Sequence, residues 1–244
     1  MAITRGNQME EVPANNATSP YTTSATLAVN AGEAVLVLIR GGHTGSPAQH
    51  GTTAVSDSVA GAYTFVDQYE TGTDDPDIYA YVYLNHPGGT VTFTETFSNG
   101  AGEWYVWIWA GAYAGVATSS AVDTSGTNVE FFTGSTTDLT TSAFTCDADD
   151  SLIVVATSTN AFIASYTAGT GFTLRNGALG GAPQGGNYGG VEDQILTGDW
   201  TSTQAHITAV ATNTQWTIAH IVLKAAAAGG GVKNPPSLLL QGVQ

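Results

Sequence analysis

An unbroken apolar run at residues 35–39 constrains the fold of this chain more than any other feature. Successive residues of a strand point to opposite faces, so a half-exposed strand would carry a polar residue at every second position. Val35 to Ile39 carry none, and the run is too short to span a membrane. It therefore predicts a strand that is covered on both faces. A second run, Leu152 to Val155, predicts another strand of this kind.

These two runs belong to an internal repeat. A shift of 118 positions places Thr23-Ser24-Ala25 on Thr141-Ser142-Ala143 and the first apolar run on the second. With gaps, the similarity covers residues about 22–113 and about 140–226, each with the same five-strand plan. We predict one sandwich made of two halves, because no flexible linker separates them. Two tandem sandwiches are the alternative.

The composition favours an all-β fold. Thr, Ser, Gly, Val and Tyr are prominent, as suits strands and tight turns, and only 10% of the residues are charged. We predict an antiparallel β-sandwich, jelly-roll-like, built from two internally similar halves. It would occupy residues 21–226, between an irregular N-terminal arm at 1–20 and a glycine-rich linker with an apolar tail at 227–244.

Charge and cysteine content exclude several functions. The net charge of −15 would repel nucleic acid and anionic membranes. The N-terminus lacks the apolar core of a signal peptide, and no segment is apolar for long enough to span a membrane. The single cysteine, Cys146, excludes an intramolecular disulfide and shares a strand face with Phe144, which predicts a buried, inert thiol. A virion protein, made in the host cytoplasm, fits these features; a trimmed signal or non-classical export would also fit.

A predicted strand at residues 78–84 alternates between tyrosine and aliphatic residues. Tyr79, Tyr81 and Tyr83 therefore share one face. This stripe is a candidate surface for stacking on sugar rings or for contact with a partner protein. Packing against a second sheet is the alternative use of such aromatic residues.

Two acidic loops are candidate calcium sites, since Ca²⁺ prefers several oxygen ligands at close range. One contains Asp74, Asp75 and Asp77, and the other contains the three aspartates of segment 147–150. Solvated turn aspartates are the alternative. No other cofactor is predicted.

Glu95 is the strongest candidate for an acid. It lies on the apolar face of a strand whose other face is threonine, so it is either a buried carboxylate with a raised pKa or a bulge residue that reaches water. A glycosidase would need a second carboxylate, for which Glu103 and Glu192 are guesses. The five histidines lack zinc-motif spacing; we expect His206 to be exposed and His220 to be a partly buried, satisfied imidazole. No nucleophile motif is present, and we predict that the chain is not an enzyme.

Several short segments carry a resemblance to a known kind of module. The second half contains GFTLR at 171–175, VEDQI at 191–195 and IVLKA at 221–225, and the first half contains VSDS at 55–58 and GGTVTF at 88–93. They resemble a β-sandwich module of tailed-phage virion proteins, from head decorations and tails, and of bacterial surface proteins. The resemblance implies a structural or adhesive role and supplies no catalytic residues.

The tail completes the functional hypothesis. Three glycines at 229–231 give reach, and the apolar segment that follows would be costly if left exposed. We predict that it docks on another subunit through Val232, Pro235, Pro236, Leu238, Leu239 and Leu240. The chain would be a non-catalytic virion protein, a head-decoration or tail/fibre accessory subunit, whose partners are other virion proteins and its own copies. A carbohydrate-binding or adhesive module that binds host surface glycans is the alternative.

Overall fold

The computed structural model describes residues 2–11, 17–43, 51–70, 76–98, 104–146, 151–159, 165–176, 189–196 and 205–227. All regular elements among them are strands: β1 Thr4–Glu11, β2 Tyr21–Thr22, β3 Leu27–Val29, β4 Ala34–His43, β5 Thr52–Asp57, β6 Gly61–Ala62, β7 Thr64–Tyr69, β8 Ile78–Tyr83, β9 Gly89–Val91, β10 Phe93–Phe97, β11 Trp104–Ala114, β12 Asn128–Thr140, β13 Leu152–Thr159, β14 Tyr166–Ala168, β15 Thr173–Asn176, β16 Gly189–Ile195 and β17 His206–Leu223. Within the described ranges, no helix is long and apolar enough to cross a membrane.

Two large antiparallel sheets form the centre of the molecule. The first sheet has the order β1-β11-β4-β8-β7, and the second has the order β12-β17-β13-β16-β15. The two orders correspond strand by strand along the chain. Even an irregularity is repeated, because the pairing shifts between Phe65 and Asp67 in β7 and between Leu174 and Asn176 in β15. The prediction of an antiparallel β-sandwich with two internally similar halves is confirmed.

The two large sheets pack face to face and share one core. Leu36 and Leu38 of β4 lie in the same apolar cluster as Val154 and Ala156 of β13. The alternate residues of both strands point away from this cluster into two further cores, one in each half. All of residues 35–39 and 152–155 are at most 1% exposed. The prediction of two strands that are covered on both faces is therefore confirmed.

Each half adds an outer layer to its large sheet. In the first half this layer is the sheet β2-β10-β5-β6, with the pair β3-β9 beside it. In the second half, the end of β12 and the start of β17 extend beyond the large sheet, and β14 pairs with β17 there. The register Tyr21↔Glu95 in the first half thus corresponds to Leu139↔Ile207 in the second. The two halves therefore have equivalent outer layers. The first half builds its layer from separate strands, and the second half builds it mainly from the extended ends of β12 and β17.

A pair of hydrogen bonds is repeated in the outer layers. The backbone N–H of Thr23 donates to the Phe93 carbonyl at 2.9 Å, and the Phe93 N–H donates to Thr23 Oγ1 at 3.0 Å. Thr141 and Ala205 exchange the same two bonds at 3.0 and 3.1 Å. The predicted match between Thr23 and Thr141 therefore extends to their bonding partners.

The prediction of an irregular arm at residues 1–20 is wrong for residues 4–11. These residues form β1, an edge strand that pairs with β11 and corresponds to β12 in the second half. Its sequence, TRGNQMEE, has little β-propensity, so only its neighbour in space defines it as a strand. Ile3 and Met9 are buried and anchor it. The repeat thus begins with β1, earlier than sequence similarity indicates.

Candidate functional site

A group of charged side chains lies between the two large sheets, with its carboxylate fully buried and one of its arginines partly exposed. Asp193 of β16 is fully buried, and Arg5 Nε donates to its Oδ1 at 2.7 Å. Arg175 Nε lies 3.3 Å from Oδ2, to which the Tyr113 hydroxyl donates at 2.9 Å. Burial, and then the charge of Asp193, raises the pKa of Tyr113 well above its usual range. This cluster joins β1 and β11 of the first half to β15 and β16 of the second.

A fully enclosed cation lies at the centre of the same interface. Arg40 of β4 is 2% exposed, and its Nε contacts the Ser158 hydroxyl of β13. Two more contacts connect the halves: the Tyr69 ring stacks on the Phe131 ring at 5.1 Å, and the Thr217 hydroxyl donates to the Pro76 carbonyl. Three of the five Lys and Arg residues in the chain are thus engaged between the halves. Acidic groups therefore dominate the charge that remains for the exterior.

Glu95 points inward, as its strand pattern predicts, and is fully buried. The Thr52 hydroxyl donates to its Oε1. Its charge acts on Tyr81, whose pKa rises to about 12 through burial and through the negative charges of Glu95 and Glu70. Glu95 is therefore part of a polar network inside the first half.

The guessed pairing of Glu95 with Glu192 as glycosidase carboxylates is wrong. Glu95 lies between the first sheet and its outer layer. Glu192 faces away from the first sheet, since its neighbour Asp193 faces toward it, so both large sheets separate the two carboxylates. They cannot flank one glycosidic bond. The other guessed partner, Glu103, lies outside the described residues.

Glu192 is itself unusual. It is fully buried, its Oε2 accepts the Gly169 N–H at 2.7 Å, and no described residue donates to its Oε1. Burial raises the pKa of Glu192 to about 8 against the opposing effect of the Gly169 bond, and the charge of Asp193 contributes to the increase. Glu192 is therefore mostly a neutral acid at pH 7.

The tyrosine stripe serves the core. Tyr79 and Tyr81 are 0% and 3% exposed and belong to the apolar cluster beneath the outer layer of the first half. The Tyr79 hydroxyl accepts the Gly51 N–H at 3.0 Å, and the Tyr81 hydroxyl donates to the Thr52 carbonyl at 3.2 Å. The interpretation of these two residues as a sugar-stacking surface is wrong, because neither ring offers a face to solvent. Tyr83 is half-buried beside the same cluster.

Two buried histidines differ in their hydrogen-bonding partners. His86 Nδ1 accepts the Gly88 N–H at 2.9 Å, so its Nε2, 3.0 Å from Asp57 Oδ2, is the nitrogen that donates. His220 has an acceptor at each nitrogen: the Gly126 carbonyl lies 2.8 Å from Nδ1, and Glu130 Oε1 lies 3.0 Å from Nε2. These two contacts fix the orientation of the His220 ring.

His220 confirms the prediction of a satisfied imidazole on the Trp216 face. It is 2% exposed and lies on the face of β17 that carries Trp216, Ile218 and Val222. The predicted exposure of His206 falls outside the described side chains, as do the side chains of His43 and His50.

Glu130 belongs to a carboxylate clamp that the two halves share. In the first half, Glu11 accepts the Ser24 hydroxyl at 2.8 Å and the Ser24 N–H at 3.2 Å. In the second half, Glu130 accepts the Ser142 N–H at 3.1 and 3.2 Å. Burial alone would raise the pKa of Glu130, but hydrogen bonds from Ser142 and His220 hold that pKa below its usual range. Both clamps fix the turn that follows an edge strand.

The candidate metal ligands are mostly outside the described residues. Asp77 is buried, whereas Asp74, Asp75 and the aspartates of segment 147–150 are not described. Among the residues that the structure describes, no three His, Cys, Asp or Glu side chains group closely enough to hold a metal ion. Cys146 is buried in the same cluster as Phe144, which confirms its predicted burial, but the two residues follow β12 and do not lie in a strand.

Comparison with known proteins does not assign the chain to a family. No family model matches the chain, and no curated protein is similar to it in sequence. The resemblance to phage and surface modules therefore stays a prediction.

Sequence reasoning missed two groupings, the Asp193 cluster and the Glu130–His220 pair. For the Asp193 cluster, the sequence did carry a signal. Strand β16 corresponds to β8, which is made of aliphatic residues and tyrosines, and yet β16 contains two adjacent acids at 192–193. The second left no local signal, because its members are 90 residues apart.

Proposed function

We propose that the chain is a non-catalytic structural protein of a tailed-phage virion, a head-decoration or tail/fibre accessory subunit. One observation carries the proposal: polar and charged groups that are wholly or partly buried between the two large sheets connect the halves of the fold. Arg5, Arg175 and Asp193 join the two halves, as does Arg40 with Ser158. Glu11 and Glu130 fix turns within each half. Such an arrangement suits a rigid building block.

The exterior supports an assembly role. With a net charge of −15 and three of its five basic residues engaged between the halves, copies of this chain repel one another at their surfaces. Stable assembly then requires a specific apolar contact, and the segment 232–240 is the candidate for it. Other virion proteins and further copies of the chain are the partners that this proposal implies.

The test is to purify virus particles by density gradient from a culture of cells in which the gene for the chain is expressed. Mass spectrometry should find the protein at a fixed copy number per particle, and deleting its gene should remove a discrete feature in electron micrographs. An unrelated cytoplasmic protein of similar abundance serves as the control for carry-over. Recovery only in the soluble fraction, with none on particles, would overturn the proposal.

A further inference from the structure

A polar pocket of about 440 Å³ opens on the second half, separate from the Asp193 and Arg40 contacts that join the two halves. The turn 124–128, Glu130 and the segment 142–145 line it, with His220 at its base. Hydroxyl and amide groups from Thr124, Ser125, Asn128, Ser142 and Thr145 face it on exposed positions. Its volume lies in the range of ligand-binding pockets, about 300–1,000 Å³.

The repeat shows that this pocket is specific to the second half. In the first half, the Tyr21 hydroxyl donates to Glu11 at 3.1 Å, so a phenol covers the clamp carboxylate. The counterpart of Tyr21 is Leu139, which is fully buried in the core and offers Glu130 no hydroxyl. The partner below Glu130 is His220, whose counterpart in the first half is Ala110 by strand register. The second half thus has a histidine beneath its clamp carboxylate, where the first half has a tyrosine hydroxyl above it.

The charges of the pocket select a neutral ligand. Glu130 is the acidic lining residue, and His220 Nε2 at 3.0 Å and the Ser142 N–H at 3.1 Å already hold its carboxylate. The net charge of −15 repels anions from the surface around it. A cation would have to compete with His220 and Ser142 for Glu130. The remaining groups are hydroxyls and an amide, which both donate and accept hydrogen bonds, as the hydroxyls of a sugar do.

We propose that this pocket binds one ring of a neutral saccharide. Asn128 and the hydroxyls of Ser142 and Thr145 hydrogen-bond the sugar hydroxyls, while the Glu130–His220 pair fixes the floor. Binding is weak for a single ring, because the pocket is open and its polar groups are solvated when empty. This inference is independent of the virion proposal, since either can fail alone.

The test is a titration of the full chain with D-glucose, D-galactose, D-mannose and N-acetyl-D-glucosamine. Saturation-transfer NMR measures the binding of each sugar. D-glucosamine and D-glucuronic acid are the charged comparators. We expect saturable millimolar binding of at least one neutral sugar and weaker binding of both comparators. Asn128→Ala should weaken binding about fivefold, the loss expected for one hydrogen bond.

Two serines provide a matched control. Ser142→Ala removes a hydroxyl from the pocket, and Ser24→Ala removes its counterpart from the clamp of the first half. We expect Ser142→Ala to weaken binding and Ser24→Ala to leave it unchanged. If Ser142→Ala fails to fold, the exposed Asn128→Ala decides alone. The proposal is overturned if no neutral sugar binds, if a charged comparator binds best, or if the pocket variants bind as well as wild type.

Discussion

At the scale of the residue, Glu192 couples stability to pH. Its usual pKa of 4.5 rises to about 8 in the fold, so the folded chain holds a proton that the unfolded chain releases. This contribution to stability is fully present below pH 4.5 and is lost as pH rises toward 8. We predict that Glu192→Gln, which keeps an acceptor for the Gly169 N–H, becomes increasingly more stable than wild type across this interval.

Chemical denaturation of both proteins at several pH values measures the effect. The difference in unfolding free energy should grow by up to about 1.4 kcal/mol per pH unit. Asp57, Glu11 and Glu130 have lowered pKa values and act in the opposite direction, since their contributions are lost as pH falls. They titrate in both proteins and so cancel in the difference. A difference that stays constant from pH 5 to 8 would contradict the prediction.

At the scale of the element, Asp193 holds four strands together. Asp193→Asn removes the charge that faces Arg175 and Arg5, whose side chains are 12% and 32% exposed. We predict a loss of about 1.5–3 kcal/mol in unfolding free energy, the range for hydrogen bonds to charged groups, because solvent compensates part of the charge of Arg5. Asp67→Asn on β7 is the control, because that carboxylate accepts one exposed bond from Gln68. Equal losses in the two variants would show that the cluster does not stabilise the interface.

The same scale separates what sequence patterns can predict from what they cannot. The apolar runs in β4 and β13 predict covered strands, because a strand with apolar residues on both faces must be packed against other layers on both faces. The stripe in β8 predicts that its tyrosines share a face, but period-two alternation does not specify which face is covered. β1 escaped prediction because pairing with β11 defines it, and its own composition does not.

Contacts between the halves are the least accessible to sequence reasoning. Arg5 and Asp193 are 188 residues apart, and neither has a local partner that would indicate the other. The pocket floor poses the same problem, since β12 and β17 meet only in the folded sheet. Knowledge of the repeat would narrow the search for such contacts, because each strand of one half has a counterpart at the equivalent place in the other half.

At the scale of the whole molecule, the segment 232–240 lies outside the described residues, and its docking stays a prediction. Deleting residues 229–244 should leave the melting temperature of the isolated protein unchanged and abolish assembly. Three buried leucines would contribute about 1.5–3 kcal/mol each at a subunit contact, less the cost of ordering the linker. Calorimetry and sedimentation measure the two effects. A lower melting temperature in the truncated monomer would instead mean that the tail covers its own sheet.

Arg40 and Ser158 occupy the same position in the two copies of the repeat, 118 residues apart, and yet they touch. Equivalent positions meet in this way only beside a two-fold axis. In a symmetric dimer of single copies, that position would meet itself, so two arginines would repel each other or two serines would face each other. Because both copies of the repeat lie in one chain, the residues on the two sides of the axis are free to differ, and an arginine can face a serine.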